Sequence, residues 1–127
     1  MHKKLIIALA FVPALIGIVH AADADLDMDL MQTIEDTNKS LSSNIALQNI
    51  PASTADAREL QTLFAQVEAH FAAKGDAADA VDLSRKSKDL AGAIIKSVGS
   101  KDFGAATDAA TDLSRACRTC HTFYKKS

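Results

Sequence analysis

The residues with the most chemical content stand together near the end of the chain, as Cys117-Arg118-Thr119-Cys120-His121. Two thiols three positions apart with an imidazole directly after the second form the attachment signature of c-type haem. Each thiol adds to one haem vinyl group, and the imidazole binds the iron. The spacing suits a helix. At about 100° per residue, Cys120 lies about 60° round from Cys117 and His121 about 40°, so the three side chains share one narrow face.

Three other chemistries use a C-x-x-C pair. A thioredoxin-like redox pair asks for βαβ patterning, whereas both flanks here read as helix. Zinc asks for four ligands, and outside the N-terminal leader the chain offers Cys117, Cys120, His121 and His70, the last on a different predicted helix. A plain disulfide has no need of the histidine that follows. These readings stay open beside haem attachment.

The start of the chain bears on the choice. Met1-His2-Lys3-Lys4 is a short basic segment, Leu5 to Val19 is apolar, and Val19-His20-Ala21 supplies a signal-peptidase site. The pattern predicts a signal peptide over residues 1–21, cleaved before Ala22, and hence an exported, periplasmic protein. The apolar run is short for a membrane span, so no stable membrane insertion is expected after cleavage, with an uncleaved anchor as the alternative. An oxidising, exported location is where covalent haem attachment occurs in bacteria.

Residues 22–127 then form one domain with a modest core. The whole chain carries 14 Lys and Arg against 16 Asp and Glu, for a net charge of −2. The leader removes Lys3 and Lys4 and no acid, so the domain is more acidic still and has no basic footprint for nucleic acid. With no Trp, abundant Ala, and Pro13 and Pro51 as the two prolines, the composition reads all-helical.

Breakers divide the domain into four helices that must position the motif. The first runs from about Leu26 to Gln48, with Leu30, Ile34, Thr37, Leu41, Ile45 and Gln48 on one face. Ser53 or Thr54 with Asp56 opens the second, whose stripe is Leu60, Leu63/Phe64, Val67 and Phe71 up to Gly75. Asp76 caps the third, which buries Val81, Leu83, Leu90/Ala91, Ile94 and Val98 before Gly99. Asp102 caps the fourth, whose heptad seam is Phe103, Ala106, Ala110, Leu113, Cys117, Cys120 and Tyr124. Amphipathic helices of similar length with short links predict an all-α, up-down-up-down four-helix bundle, with the Cys pair facing inward at one end. Phe64, Phe71, Phe103 and Tyr124 supply the larger walls.

A C-terminal C-x-x-C-H in a helical domain of this size, followed by Thr122-Phe123-Tyr124-Lys125-Lys126, resembles the class II c-type cytochromes, the cytochrome c′ group. The resemblance covers the whole mature domain in architecture and is specific in residues at Cys117, Cys120 and His121. It implies a four-helix bundle, one covalently attached haem c, His121 as the proximal iron ligand, and a sixth position facing the first helix. Low-spin members place a Met there, while the c′ members leave it open behind an apolar residue.

Laid without gaps on that pattern, this chain has Asn38 at the sixth position, with Met31 one heptad earlier and Met28 near the helix start as competitors. Family members also place an Arg on the first helix near the haem propionates. This helix has none, which leaves Arg58, Arg85, Arg115, Arg118 or a lysine for that role. His70 reads as a partly buried structural residue. The function expected is one-electron transfer by Fe(II)/Fe(III) cycling to redox partner proteins, by a monomer or weak homodimer that is not an enzyme. An open sixth site would instead give a binding protein for nitric oxide or carbon monoxide. A haem-free exported helical protein with a Cys117–Cys120 disulfide is the third reading.

Overall fold

A computed structural model describes Leu26 and residues 28–124 of the chain; the expected signal peptide lies outside the described residues. Four helices account for nearly all of them: α1 (Met28–Ala46), α2 (Ile50–Lys74), α3 (Ala78–Gly99) and α4 (Phe103–Tyr124). Short links make consecutive helices antiparallel, and each packs on its neighbours around a ring, α1 closing on α4. This is the expected all-α four-helix bundle. The start of α1, the end of α2, the start of α3 and the end of α4 share one end of the bundle, called here the motif end. Among the described residues no helix is long and apolar enough to cross a membrane.

The core comes from rows at alternating steps of three and four. α2 buries Ser53, Ala57, Leu60, Phe64, Val67 and Phe71, while α1 buries Ile34, Thr37, Leu41 and Ile45. In α3 the inward row is Ala80, Ser84, Ser87, Ala91, Ile94 and Val98. The expected Val81, Leu83 and Leu90 are only half-buried beside it. Small residues win the inward positions because α2 and α3 pack over the largest contact in the bundle, and a close approach has no room for a leucine row. Ser84 and Ser87 enter the core with their hydroxyls donating to the carbonyls of Ala80 (2.7 Å) and Leu83 (2.8 Å), so neither is left unbonded.

Helix starts depart from expectation at two places. α2 opens at Ile50 rather than at Ser53 or Thr54, because the Asn49 side chain accepts from Ala52 N at 3.1 Å and Pro51 sits in the first turn, where a missing N–H is harmless. Ser53 is thereby drawn inside the helix and fully buried. α3 is entered through Ala77 with no side-chain cap. Ala77 is buried, which carries Asp76 outward past the capping position. Gly75 does end α2 as expected, at φ +75°, and Asp102 does cap α4, accepting from Ala105 N at 3.0 Å.

The α1–α2 and α3–α4 turns are the same turn, 53 residues apart. In the first, Leu47, Gln48 and Asn49 donate to Ser43, Ile45 and Asn44; in the second, Ser100, Lys101 and Asp102 donate to Lys96, Val98 and Ser97. Gln48 (φ 54°) and Lys101 (φ 60°) both take the left-handed conformation, and Asn49 and Asp102 both cap the next helix. That conformation turns Gln48 out to solvent, off the stripe expected for it. Buried positions repeat with the same offset: Leu41 with Ile94, Ile45 with Val98, Ala57 with Ala110, and Leu60 with Leu113.

Candidate functional site

α4 carries the chemistry on a core-facing row. Ala106, Ala110 and Leu113 are buried, and one turn further on Cys117 and Cys120 are half-buried and packed against the core. His121 is exposed. The shared face therefore lies on the boundary between core and solvent, with the thiols on its inner edge and the imidazole on its outer edge.

Both thiols are free. Burial pushes the Cys117 thiol up to about 11, with the neighbouring Cys120 adding to the effect, and burial raises Cys120 as well. Disulfide-exchange cysteines show the opposite shift, toward thiolate. Among the described residues no three His, Cys, Asp or Glu side chains converge as a bare metal ion would require.

A group attached through Cys117 and Cys120 would find apolar surroundings on several sides. Leu26 just before α1, Leu30 and Met31 at its start and Val81 at the start of α3 are partly buried against the core at this end. Phe64, Val67 and Phe71 are buried in the core on α2. Phe103 belongs to the opposite end of the bundle, so it is no wall of this site, and the Tyr124 side chain lies outside the described residues. A groove of about 340 Å³ lined by Asp79, Asp82, Leu83, Lys86 and Thr119 borders the motif on the α3 side. Cys117, Cys120 and His121 are the donors that such a group would use.

One bond fixes the heights of the α1 candidates. Asn38 Nδ2 donates to Ser114 Oγ at 3.1 Å, across the α1–α4 contact. In antiparallel helices, seven residues back along α1 matches seven forward along α4, about 10.5 Å toward the motif end. Met31 therefore stands level with His121, while Asn38 stands level with Ser114, below the motif. Met28 lies further out and is 85% exposed.

The other charged candidates are distributed around the bundle. Arg85 bonds Glu68 (3.2 Å) and Asp82 (3.4 Å), and Arg115 bonds Asp112 (3.1 Å). Arg58 is exposed on α2, and Arg118 is exposed inside the motif itself. His70 is half-buried, its ring edge-to-face with Phe71 at 5.2 Å, as expected of a structural histidine. The Asn38–Ser114 contact was invisible in the sequence, since it depends on the register of two helices far apart in the chain. The buried Ser84 and Ser87 did leave a signal, in the heptad steps that they share with Ala80 and Ala91.

The chain matches no known protein-family model, no curated protein and no solved structure.

Proposed function

We propose that this chain is an exported c-type cytochrome that carries single electrons between redox partner proteins. The observation that supports this reading best is the position of Cys117 and Cys120. An otherwise apolar inward row of α4 is interrupted there by two half-buried, protonated thiols, with His121 next to them at the surface. In attachment, each thiol adds across a haem vinyl C=C, sulfur to one carbon and hydrogen to the other, with no oxidant consumed. His121 would supply a ring nitrogen to the iron of a haem so attached. Haem, when bound, supplies the one-electron Fe(III)/Fe(II) chemistry.

The chain's own residues hold the group, exclude water from its inner side and leave one edge open to a partner. On α1, Met31 is the residue at the height of His121, so a haem held there would have the Met31 thioether, rather than Asn38, available to it from α1. No substrate bond is made or broken, so the protein is a carrier rather than an enzyme.

The test is co-expression with haem-attachment proteins. A red band that survives denaturing electrophoresis and a mass increase of one haem are expected. A colourless protein of unmodified mass refutes the reading. In the reduced spectrum, sharp split bands indicate six-coordinate low-spin iron, and a single broad band would favour the gas-binding alternative.

A further inference from the structure

Each helix of the ring is held by two neighbours, but not equally. The two smallest contacts are both made by α1, the one with α4 being the smaller, while α2 and α3 share the largest. α1 buries four residues, against six in each of α2 and α3. A polar attachment of α1 to α2 lies toward their turn, where Asp56 accepts from Ser40 and from Asn44, both at 2.8 Å. Against α4, Asn38 donates to Ser114, yet Asn38 Oδ1 is buried with no partner. Closure of α1 on α4 therefore leaves an acceptor without the bond that water would give it.

The repeated hairpin supplies an internal control. Across α2 and α3, Glu68 is clasped by Lys88 (2.7 Å) and Arg85 (3.2 Å). The 53-residue shift carries Glu68 onto His121, and its reverse carries Lys88 and Arg85 onto Glu35 and Gln32. These equivalents do not repeat the latch: Glu35 pairs with Lys39 at 2.9 Å and Gln32 donates to Asp36 at 3.0 Å, each within α1 itself. Between the Asn38–Ser114 level and the level of Met31 and His121, α1 presents the buried Ile34 and α4 presents Cys117. α1 thus covers Cys117 with no counterpart of the Glu68 latch.

We infer that α1 is a hinged cover: pivoting at its Asn44–Asp56 end, it swings its motif end away from α4 and admits a group to Cys117, while α2, α3 and α4 stay packed. Such a partial opening costs less than unfolding, because it gives up packing only at the two smallest contacts and returns Asn38 to water. The closed state shelters Cys117 and the open state presents it, so the population of the open form sets access to the thiol. In the cytochrome reading this is the route by which haem vinyl groups arrive. The inference rests on the bundle alone and stands for the haem-free chain.

The experiment measures amide hydrogen exchange, and alkylation of Cys117 by iodoacetamide, on the full haem-free chain. The parent is compared with Ile34→Val in α1 and with Ile95→Val, which lies one turn along α3 from Gly92, where Gln61 of α2 comes close. In the parent, the amides of Thr37 and Leu41 should exchange at least about tenfold faster than those of Leu60 and Ile94. Equal protection in α1, α2 and α3 overturns the hinge without any variant. Ile34→Val should speed α1 exchange and Cys117 alkylation by the same factor, because both pass through the open form. Ile95 keeps its contacts when α1 opens, so Ile95→Val should speed exchange in α2 and α3 and leave α1 and Cys117 unchanged. Acceleration of α1 and Cys117 by Ile95→Val would make global unfolding the route and refute the cover, as would a Cys117 rate that ignores Ile34→Val.

Discussion

Asn38 and Ser114 are 76 residues apart in sequence and 3.1 Å apart in space, and their hydrogen bond marks the register of α1 against α4. That register puts Met31, rather than Asn38, at the height of His121. If haem attaches as proposed, Met31→Ala should therefore turn the low-spin iron high-spin, lower its reduction potential and raise its carbon monoxide affinity. The packing loss should be about 1 kcal/mol, since Met31 is only half-buried. Asn38→Ala should leave the spectrum unchanged. A spectral change confined to the Asn38 variant would reverse the assignment.

The two thiols should differ in reactivity before any group is attached. Cys117 is the more strongly buried of the pair, with its thiol pushed up to about 11, and only thiolate alkylates. In the haem-free chain at pH 8, iodoacetamide should modify Cys120 several-fold faster than Cys117, as followed by peptide mass spectrometry. Equal rates would mean that α4 frays through this turn.

Ser53 is fully buried, and its hydroxyl has no partner. At the equivalent point of the second hairpin stands Ala106, also fully buried. Ser53→Ala removes an unpaired polar group without opening a cavity larger than one oxygen. It should stabilise the chain by about 1 kcal/mol in urea unfolding. Destabilisation would reveal a hydrogen bond in solution that Ser53 does not make here.

Glu68 joins α2 to α3 through Lys88 (2.7 Å) and Arg85 (3.2 Å). The Lys88 hydrogen bond, with the charges of Lys88 and Arg85, holds its carboxyl below the ordinary 4.5. A lowered folded pKa means that the unfolded chain binds the proton first. The contribution is complete above 4.5 and is lost as the pH falls through the lower folded value. Glu68→Gln should thus lower Tm slightly at neutral pH, and the difference from the parent should close as the pH falls below 4.5. A parallel acid decline in parent and variant would assign the effect to other carboxylates.

Most of the architecture was legible in the chain, because Gly75, the cap at Asp102 and the three-and-four spacing of apolar residues are local signals. The α2 start was misplaced because Ser53 and Thr54 read as caps, whereas Asn49 caps the helix and Pro51 sits in its first turn. The inward row of α3 was misjudged because hydrophobicity favours Leu83 and Leu90, whereas the close approach of α2 selects Ala80, Ser84 and Ser87. At the site, Cys117, Cys120 and His121 announce themselves by spacing. The relation of Asn38 and Met31 to them depends on interhelix register, which one sequence does not encode locally.

The repeated turn bears on how the chain could be cut and rejoined. If α1–α2 and α3–α4 are one hairpin used twice, the Gly75–Ala77 link between α2 and α3 has its counterpart in the gap between Tyr124 and Met28, at the same end of the bundle. A circular permutant that begins at Ala78, ends at Lys74 and bridges the old termini with a short flexible linker should fold to the same bundle, with C-x-x-C-H now in mid-chain. Far-ultraviolet circular dichroism and urea unfolding of that permutant measure the equivalence directly. A permutant without cooperative unfolding would show that the two hairpins share a turn but not a fold.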